Sequence, residues 1–150
     1  MAETIRVVAR FANGKLLKGT TQDFAQNRPS FHVIPADGSP SLDVRTDQLK
    51  ALFFVRDLQG NPDRTSLRGF LDAPATTAQG RKIAVRFTDE EFLCGHTLSY
   101  QPGRPGFFMT PVDEASNNIR IYVIVAATVE IKAGLAAEAL AAEVLGGVRR

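Results

Sequence analysis

The sequence has no tryptophan, one cysteine and two histidines among 150 residues. Cys94 standing alone excludes an internal disulfide, and so small a Cys/His set excludes a structural zinc site built from those ligands. Charge of one sign is also scarce. Eighteen Lys plus Arg face sixteen Asp plus Glu, and the resulting +2 is too small an excess to advertise a nucleic-acid partner. No uninterrupted apolar run of membrane-spanning length occurs, and Met1-Ala2-Glu3-Thr4 lacks the basic and apolar segments of an export signal. A cytoplasmic protein with no membrane contact is therefore expected. The phosphate-binding patterns GxGxxG and GxxxxGK[ST], the G-x-S-x-G elbow and the HExxH helix are all missing. These gaps lead to the expectation of no enzyme activity, no cofactor and no metal. What is present, 44% hydrophobic and 23% charged residues, is the composition of a folded globular chain.

Sliding the sequence on itself by 76 positions lays Arg10–Asp37 over Arg86–Asp113 without a gap. The identical pairs are Arg10/Arg86, Phe11/Phe87, Leu17/Leu93, Gly19/Gly95, Thr21/Thr97, Arg28/Arg104, Pro29/Pro105, Phe31/Phe107, Pro35/Pro111 and Asp37/Asp113. Chance is a poor explanation for so many matches, and a fixed spacing of this kind marks an internal repeat. Further along, one extra residue in the second copy lets Leu42 and Val44 meet Ile119 and Ile121.

Within each copy the apolar residues alternate, which is the signature of a half-buried strand. Ile5, Val7, Ala9 and Phe11 do so in the first copy, and Ile83, Val85 and Phe87 in the second. Asn13-Gly14 marks a hairpin that needs positive φ, and Asp89-Glu90 fills the same place less ideally. A strand from Lys15 to Phe24 follows, with Gly19 in its middle; Gly95 recurs in the second copy, and both predict a bend or bulge. Third strands end at Pro35 and Pro111, and Asp37-Gly38 forms a turn. The first copy closes with Leu42–Arg45, a short helical break at Thr46–Leu49, and Lys50–Arg56. The second reads as one continuous β-branched run from Ile119 to Ile131. Leu135, Ala136, Ala139, Leu140, Val144 and Leu145 are spaced for one helix face, with Gly146-Gly147 as its stop.

The expected architecture is mainly β: two tandem five-stranded small barrels of the Sm or Tudor kind, packed together, plus a C-terminal α-helix. The first barrel spans residues 1–58, a linker or crossing arm 59–80, the second barrel 81–131 and the helix 132–150. The helix serves as a cover or as a homodimer element.

The run from Arg81 to Val129, with Arg-Pro-Gly-Phe-Phe at 104–108 and Ser-Asn-Asn at 116–118, resembles an uncharacterised bacterial family of small β-domains. Its pattern is close to VRFxDGExLxGxTxxYxPxRPGFF followed by SNNxRxYV, and the first copy looks like a diverged version. The resemblance implies occurrence in signalling proteins, sometimes alongside PilZ domains, and implies no established chemistry.

The polar elements that recur are Gln26-Asn27-Arg28-Pro29 and Pro102-Gly103-Arg104-Pro105-Gly106. Proline stiffens each loop and biases the preceding arginine toward an extended conformation, so each presents a guanidinium from a firm frame. Such a fork suits a carboxylate, a phosphate or a backbone carbonyl. The structural reading, preferred here, pairs Arg28 and Arg104 with Asp37 and Asp113 and locks the hairpin. Arg10 and Arg86 raise the same choice between solvent and an interface. Phe107-Phe108 places one ring on each strand face, one in the core and the other covered by the opposite barrel or exposed as a binding patch. Cys94 and His96 share a strand face without an orienting acid, which favours packing over nucleophilic catalysis. His32 reads as a half-exposed strand residue, and Ser116-Asn117-Asn118 as a turn. Arg64 and Arg68 match the bare RxxxR spacing of cyclic-dinucleotide readers, without the DxSxxG that should follow.

The resulting functional expectation is a non-enzymatic regulatory or protein-interaction module, binding a protein partner through a barrel edge or through Arg28, Arg104, Phe107 and Phe108. The alternatives are single-stranded nucleic-acid binding, disfavoured by the charge balance, and cyclic-dinucleotide sensing.

Overall fold

The computed structural model describes residues 4–58, 80–112 and 117–146. Ten antiparallel strands form one sheet: β1 (Ile5–Phe11), β2 (Leu16–Thr21), β3 (Ser30–Pro35), β4 (Leu42–Arg45), β5 (Leu49–Val55), β6 (Arg81–Phe87), β7 (Phe92–Thr97), β8 (Gly106–Pro111), β9 (Asn118–Ile124) and β10 (Thr128–Ala133). One helix, α1 (Leu135–Gly146), follows. The strand order is β10-β6-β7-β8-β9-β5-β1-β2-β3-β4. Each half thus runs fifth, first, second, third, fourth.

The halves agree residue by residue. Val7 pairs with Gly19 and Ile83 with Gly95, a shift of 76 on both strands. Past the third strand the shift becomes 79, because Phe31 pairs with Val44 and Phe107 with Val123. The second half therefore carries three extra residues rather than one, and Leu42 corresponds to Ile121. Even the irregularity recurs: the first–fifth ladder slips between Arg10 and Phe11 on one side and between Thr128 and Glu130 on the other. The bulged residues are Lys50 and Val129. A tight turn of 3-10 helix precedes each fifth strand, at Thr46–Gln48 and Val125–Ala127, so the expected continuous strand from Ile119 to Ile131 is broken in two.

Two closed barrels do not form, and the sheet stays open. The edge of β5 that closure would have used is instead bonded to β9, with Ala51 opposite Val123 and Phe53 opposite Ile121. Because the junction strands lie between the halves, β5 and residues 121–124 of β9 are buried on both faces. Leu52 and Phe54 enter the first core beside Val7, Phe31 and Val33, and Phe53 and Val55 enter the second beside Ile83, Phe107 and Met109. Tyr122 on β9 likewise crosses into the first core, while Ile121 and Val123 serve the second.

Gly95 marks a close approach and not a bulge, since the register runs through it without a slip. A Cβ there would stand 1.9 Å from the Thr110 carbonyl oxygen, and at Gly19 the same atom would stand 2.2 Å from that of Ile34. At the first hairpin tips the positive φ falls on Gly14 in one half and on Glu90 in the other.

The helix packs on the outer face of β6 and β7, where Ala137, Leu140 and Ala141 cover Ala84, Phe92 and Cys94. The buried stripe differs from the expected one: Leu135 is 82% exposed, and Ala136 and Ala139 face solvent. In so alanine-rich a helix several stripes are nearly equally apolar, and contact with the sheet selects among them. Among the described residues no helix is long and apolar enough to cross a membrane.

Candidate binding cleft

Strand alternation divides the recurring Phe-Phe pair. Phe107 is fully buried in the second core, so it leaves the list of candidate contact residues, and Phe108 turns to the opposite face. There its cross-strand neighbour is Tyr122, and Arg120 lies opposite Phe54 on the next ladder. Phe24 from the Arg28 loop completes a cluster at the seam between the halves. Its ring packs edge-on against Tyr122 at 5.2 Å and against Phe54 at 5.7 Å, and Phe108 meets Tyr122 at 5.0 Å. Phe108 is thus covered by the other half, one of the two outcomes open to it.

A hydrogen-bond clasp holds this strand. Thr97 Oγ1 donates to the Phe108 carbonyl at 2.7 Å, and Phe108 N donates to Ser99 Oγ at 3.3 Å. The first half repeats it around His32, with Thr21 Oγ1 donating to the His32 carbonyl and His32 N donating to Asp23 Oδ1, both at 2.8 Å. His32 is half-exposed, and its Nδ1 lies 2.7 Å from Asp23 Oδ2. Partial burial raises the Asp23 carboxyl, yet the hydrogen bonds from His32 and Thr21 outweigh it and keep Asp23 below the ordinary carboxylate value.

Arg120 is the notable charge on this face. Its guanidinium carbon lies 4.3 Å from the centroid of Phe108 and 4.6 Å from that of Phe54, and no carboxylate pairs with it among the described residues. It borders an open cleft of about 260 Å³ whose other walls include Leu98, Ser99, Phe108, Met109 and Thr110. Sequence reasoning passed over Arg120. The signal was there in Ile119-Arg120-Ile121-Tyr122, whose alternation puts Arg120 and Tyr122 on the side opposite the second core.

Backbone bonds stiffen the two Arg-Pro loops. Arg28 N donates to the Ala25 carbonyl and Arg104 N to that of Gln101, while the carbonyls of Pro29 and Pro105 accept from Thr46 N and Val125 N. The expected bridge from Arg28 to Asp37 is not formed. Arg28 Nη1 donates to the Asp23 carbonyl at 3.3 Å, and Asp37 is occupied by Ser39, whose hydroxyl first and backbone N–H second hold its carboxyl below the usual value. Asp113 and Ser116 lie outside the described residues, as do Arg64 and Arg68. Arg104 is exposed and acts on Tyr122: burial pushes the phenol upward, and the nearby Arg104 charge opposes that shift. Gly106 lets the tyrosine ring lie against this loop, since a Cβ would stand 2.5 Å from the phenol oxygen.

The remaining candidates serve the fold. Cys94 is buried beneath α1. Arg86 pairs with Glu130 at 2.7 Å, whereas Arg10 lies over the Phe53 ring at 5.4 Å. Asn117 pins the end of β5 from the other half, with Nδ2 donating to the Asp57 carbonyl and Oδ1 accepting from Asp57 N. Lys50, also missed in sequence, is a buried cation whose Nζ reaches Asp89 at 2.7 Å and Glu91, and lies 4.8 Å from the Phe87 centroid. That hydrogen bond from Lys50 lowers the Asp89 carboxyl.

Comparison with curated proteins gives no match, and comparison with solved structures gives none either. A family model described as a family of unknown function (DUF6982) matches residues 3–133, and the chain belongs to that family.

Proposed function

We propose that the chain is a non-enzymatic interaction module of a bacterial signalling system, which binds an acidic segment of a protein partner in the cleft beside Arg120. The observation that carries this reading is the guanidinium lying against Phe108 and Phe54 without a carboxylate of its own. Stacking fixes the plane of the fork, so little further rotamer freedom is lost when a carboxylate is gripped bidentately. Leu98 and Phe108 beside it suit an apolar side chain next to the acid. Arg104, one loop away, adds positive potential to the same face. The signalling context rests on the sequence resemblance.

Nucleic acid is the weaker reading. The aromatic rings of the seam are packed edge-on against one another, whereas base stacking requires open ring faces. The test is selection of random peptides on the wild-type chain with counter-selection on Arg120→Gln. Enrichment of Asp or Glu next to an apolar residue, with at least tenfold weaker binding to the variant, supports the proposal. Enriched peptides without acids, or equal binding to both proteins, would reject it.

A further inference from the structure

The recurring arginine is treated differently in the two halves. In the second, Arg86 stands opposite Glu130 on β10 and pairs with it at 2.7 Å. In the first, Arg10 stands opposite Ala51 on β5, the position that corresponds to Glu130, so the acid that neutralises one arginine is missing for the other. The Arg10 guanidinium lies instead 5.4 Å from the centroid of Phe53. A second cation joins it. Lys18 stands opposite Val8 as Leu16 stands opposite Arg10, which puts both charges on one face, and the counterpart of Lys18 in the second half is the buried Cys94. Both Arg10 and Lys18 are exposed, and neither meets a carboxylate among the described residues.

These cations border a cleft between the halves. The second core already buries Val8 beside Phe53 and Ile83, so what stays open on this face is small. Its volume is about 310 Å³, at the lower end of the roughly 300–1,000 Å³ of small-molecule sites. Leu16 from β2, Phe53 and Val55 from β5 and Leu93 from β7 line it with apolar surface. Glu91 is the one acid among the described residues of the lining, and the buried Lys50 already holds it.

We propose that this cleft binds a small amphiphilic anion, a carboxylate or phosphate monoester with a short apolar tail. Its head group does for Arg10 what Glu130 does for Arg86, and Lys18 closes on it from the neighbouring strand. Diagonal neighbours on adjoining strands stand about 7–8 Å apart, a span that two such long side chains bridge to reach one anion. Contact with the Phe53 ring holds the guanidinium, which leaves its fork free for acceptor oxygens. The tail lies along Leu16 and Leu93, where apolar contact adds affinity while the cations fix its direction. None of these residues belongs to the Arg120 cleft.

The test is titration of the isotope-labelled full chain with octanoate and with octyl phosphate, each below its micelle-forming concentration, followed by NMR. Acetate supplies a charge without a tail, and octanol a tail without a charge. Saturable shifts at Leu16, Lys18 and Leu93, with either amphiphile bound at least tenfold more tightly than both controls, support the proposal, and the tighter of the two amphiphiles identifies the head group. Arg10→Gln and Lys18→Gln should each weaken binding at least fivefold. Lys15→Gln at the nearby hairpin and Arg120→Gln should leave it intact. Because Lys18 is exposed, Lys18→Gln should keep the wild-type melting temperature, so its loss of binding reports the site and not the fold. Absence of saturation, equal binding of acetate or octanol, or a loss in Lys15→Gln as large as that in Lys18→Gln would overturn the proposal. Shifts confined to the residues around Arg120 would overturn it as well.

Discussion

Lys50 offers the sharpest test of how the two halves are joined. It occupies the bulge of β5 in the first half, yet its ammonium reaches Asp89 and Glu91 at the β6–β7 turn of the second. The lysine side chain is 8% exposed, whereas those of Asp89 and Glu91 are 55% and 39% exposed. Truncation to alanine removes three methylenes worth ~0.8 kcal/mol each when fully buried. It also removes charge-assisted hydrogen bonds, although the freed carboxylates regain water and the lost side-chain ordering returns some entropy. The net cost should be about 2 kcal/mol, below the 3–5 kcal/mol expected on breaking a fully buried pair. Lys50→Met keeps the apolar stem over Phe87 and should cost about 1 kcal/mol.

For a chain of this size those values correspond to drops of roughly 4–8 °C and 2–4 °C in melting temperature at pH 7. The pH dependence follows from Asp89. Its folded pKa is lowered by Lys50, so the stabilisation is present above the unfolded pKa and is lost as pH falls through the folded value. The gap between wild type and Lys50→Met should therefore shrink below about pH 4. Calorimetric melts of the three proteins between pH 7 and pH 3 decide it. A Lys50→Ala protein that melts with the wild type at pH 7, or a Lys50→Met gap that stays constant down to pH 3, would refute the reasoning.

Gly95→Ala should be severely destabilising, by about 3 kcal/mol or more, because the new Cβ meets backbone at Thr110 instead of a side chain that can rotate away; denaturant unfolding measures it. Glu90→Gly should stabilise by about 1 kcal/mol, since Glu90 holds a φ of 75° that glycine adopts without strain; a raised midpoint in the same assay checks it. Arg28→Ala should change stability by less than about 0.5 kcal/mol, as its guanidinium is exposed and bonds one carbonyl; a melting shift above 3 °C would restore a bridging role.

Much of the strand layout is legible because each turn is written in residues with special backbone needs. The Arg-Pro loops recur at a fixed spacing, Asn13-Gly14 and Asp37-Gly38 mark the other turns of the first copy, and the alternation between them leaves little freedom of register. The same alternation explains the mistaken offset: a strand repeats every two residues, so displacements of 77 and 79 put the same side chains on the same face. Only the ladders separate Ile119 from Ile121 as the partner of Leu42. Pairing between β5 and β9 was hidden for another reason. Ladder bonds are made by backbone, which every residue carries, and side chains report them only through burial. Arg120 escaped notice because its value lies in two rings brought to it from different strands, Phe108 next to it in the sheet and Phe54 from the other half.

Burial on both faces is nevertheless visible once the corresponding strands are compared. The junction strands read Ala51-Leu52-Phe53-Phe54 and Ile121-Tyr122-Val123-Ile124, apolar at every position. Their counterparts at the ends of the sheet read Glu130-Ile131-Lys132-Ala133 and Leu42-Asp43-Val44-Arg45. A charge thus stands in each place where the junction has Ala51, Phe53, Tyr122 or Ile124. Burying those charges in a further strand pair would cost several kcal/mol unless each found a partner, which is how free edges avoid pairing with other chains. The helix completes this asymmetry. Val8 is covered by the second core, and its counterpart Ala84 by α1, so the second half has α1 where the first has the other half of the sheet. Two halves with one register are therefore enough, because the outward surfaces of the pair are finished by charge at β4 and β10 and by a helix on β6 and β7.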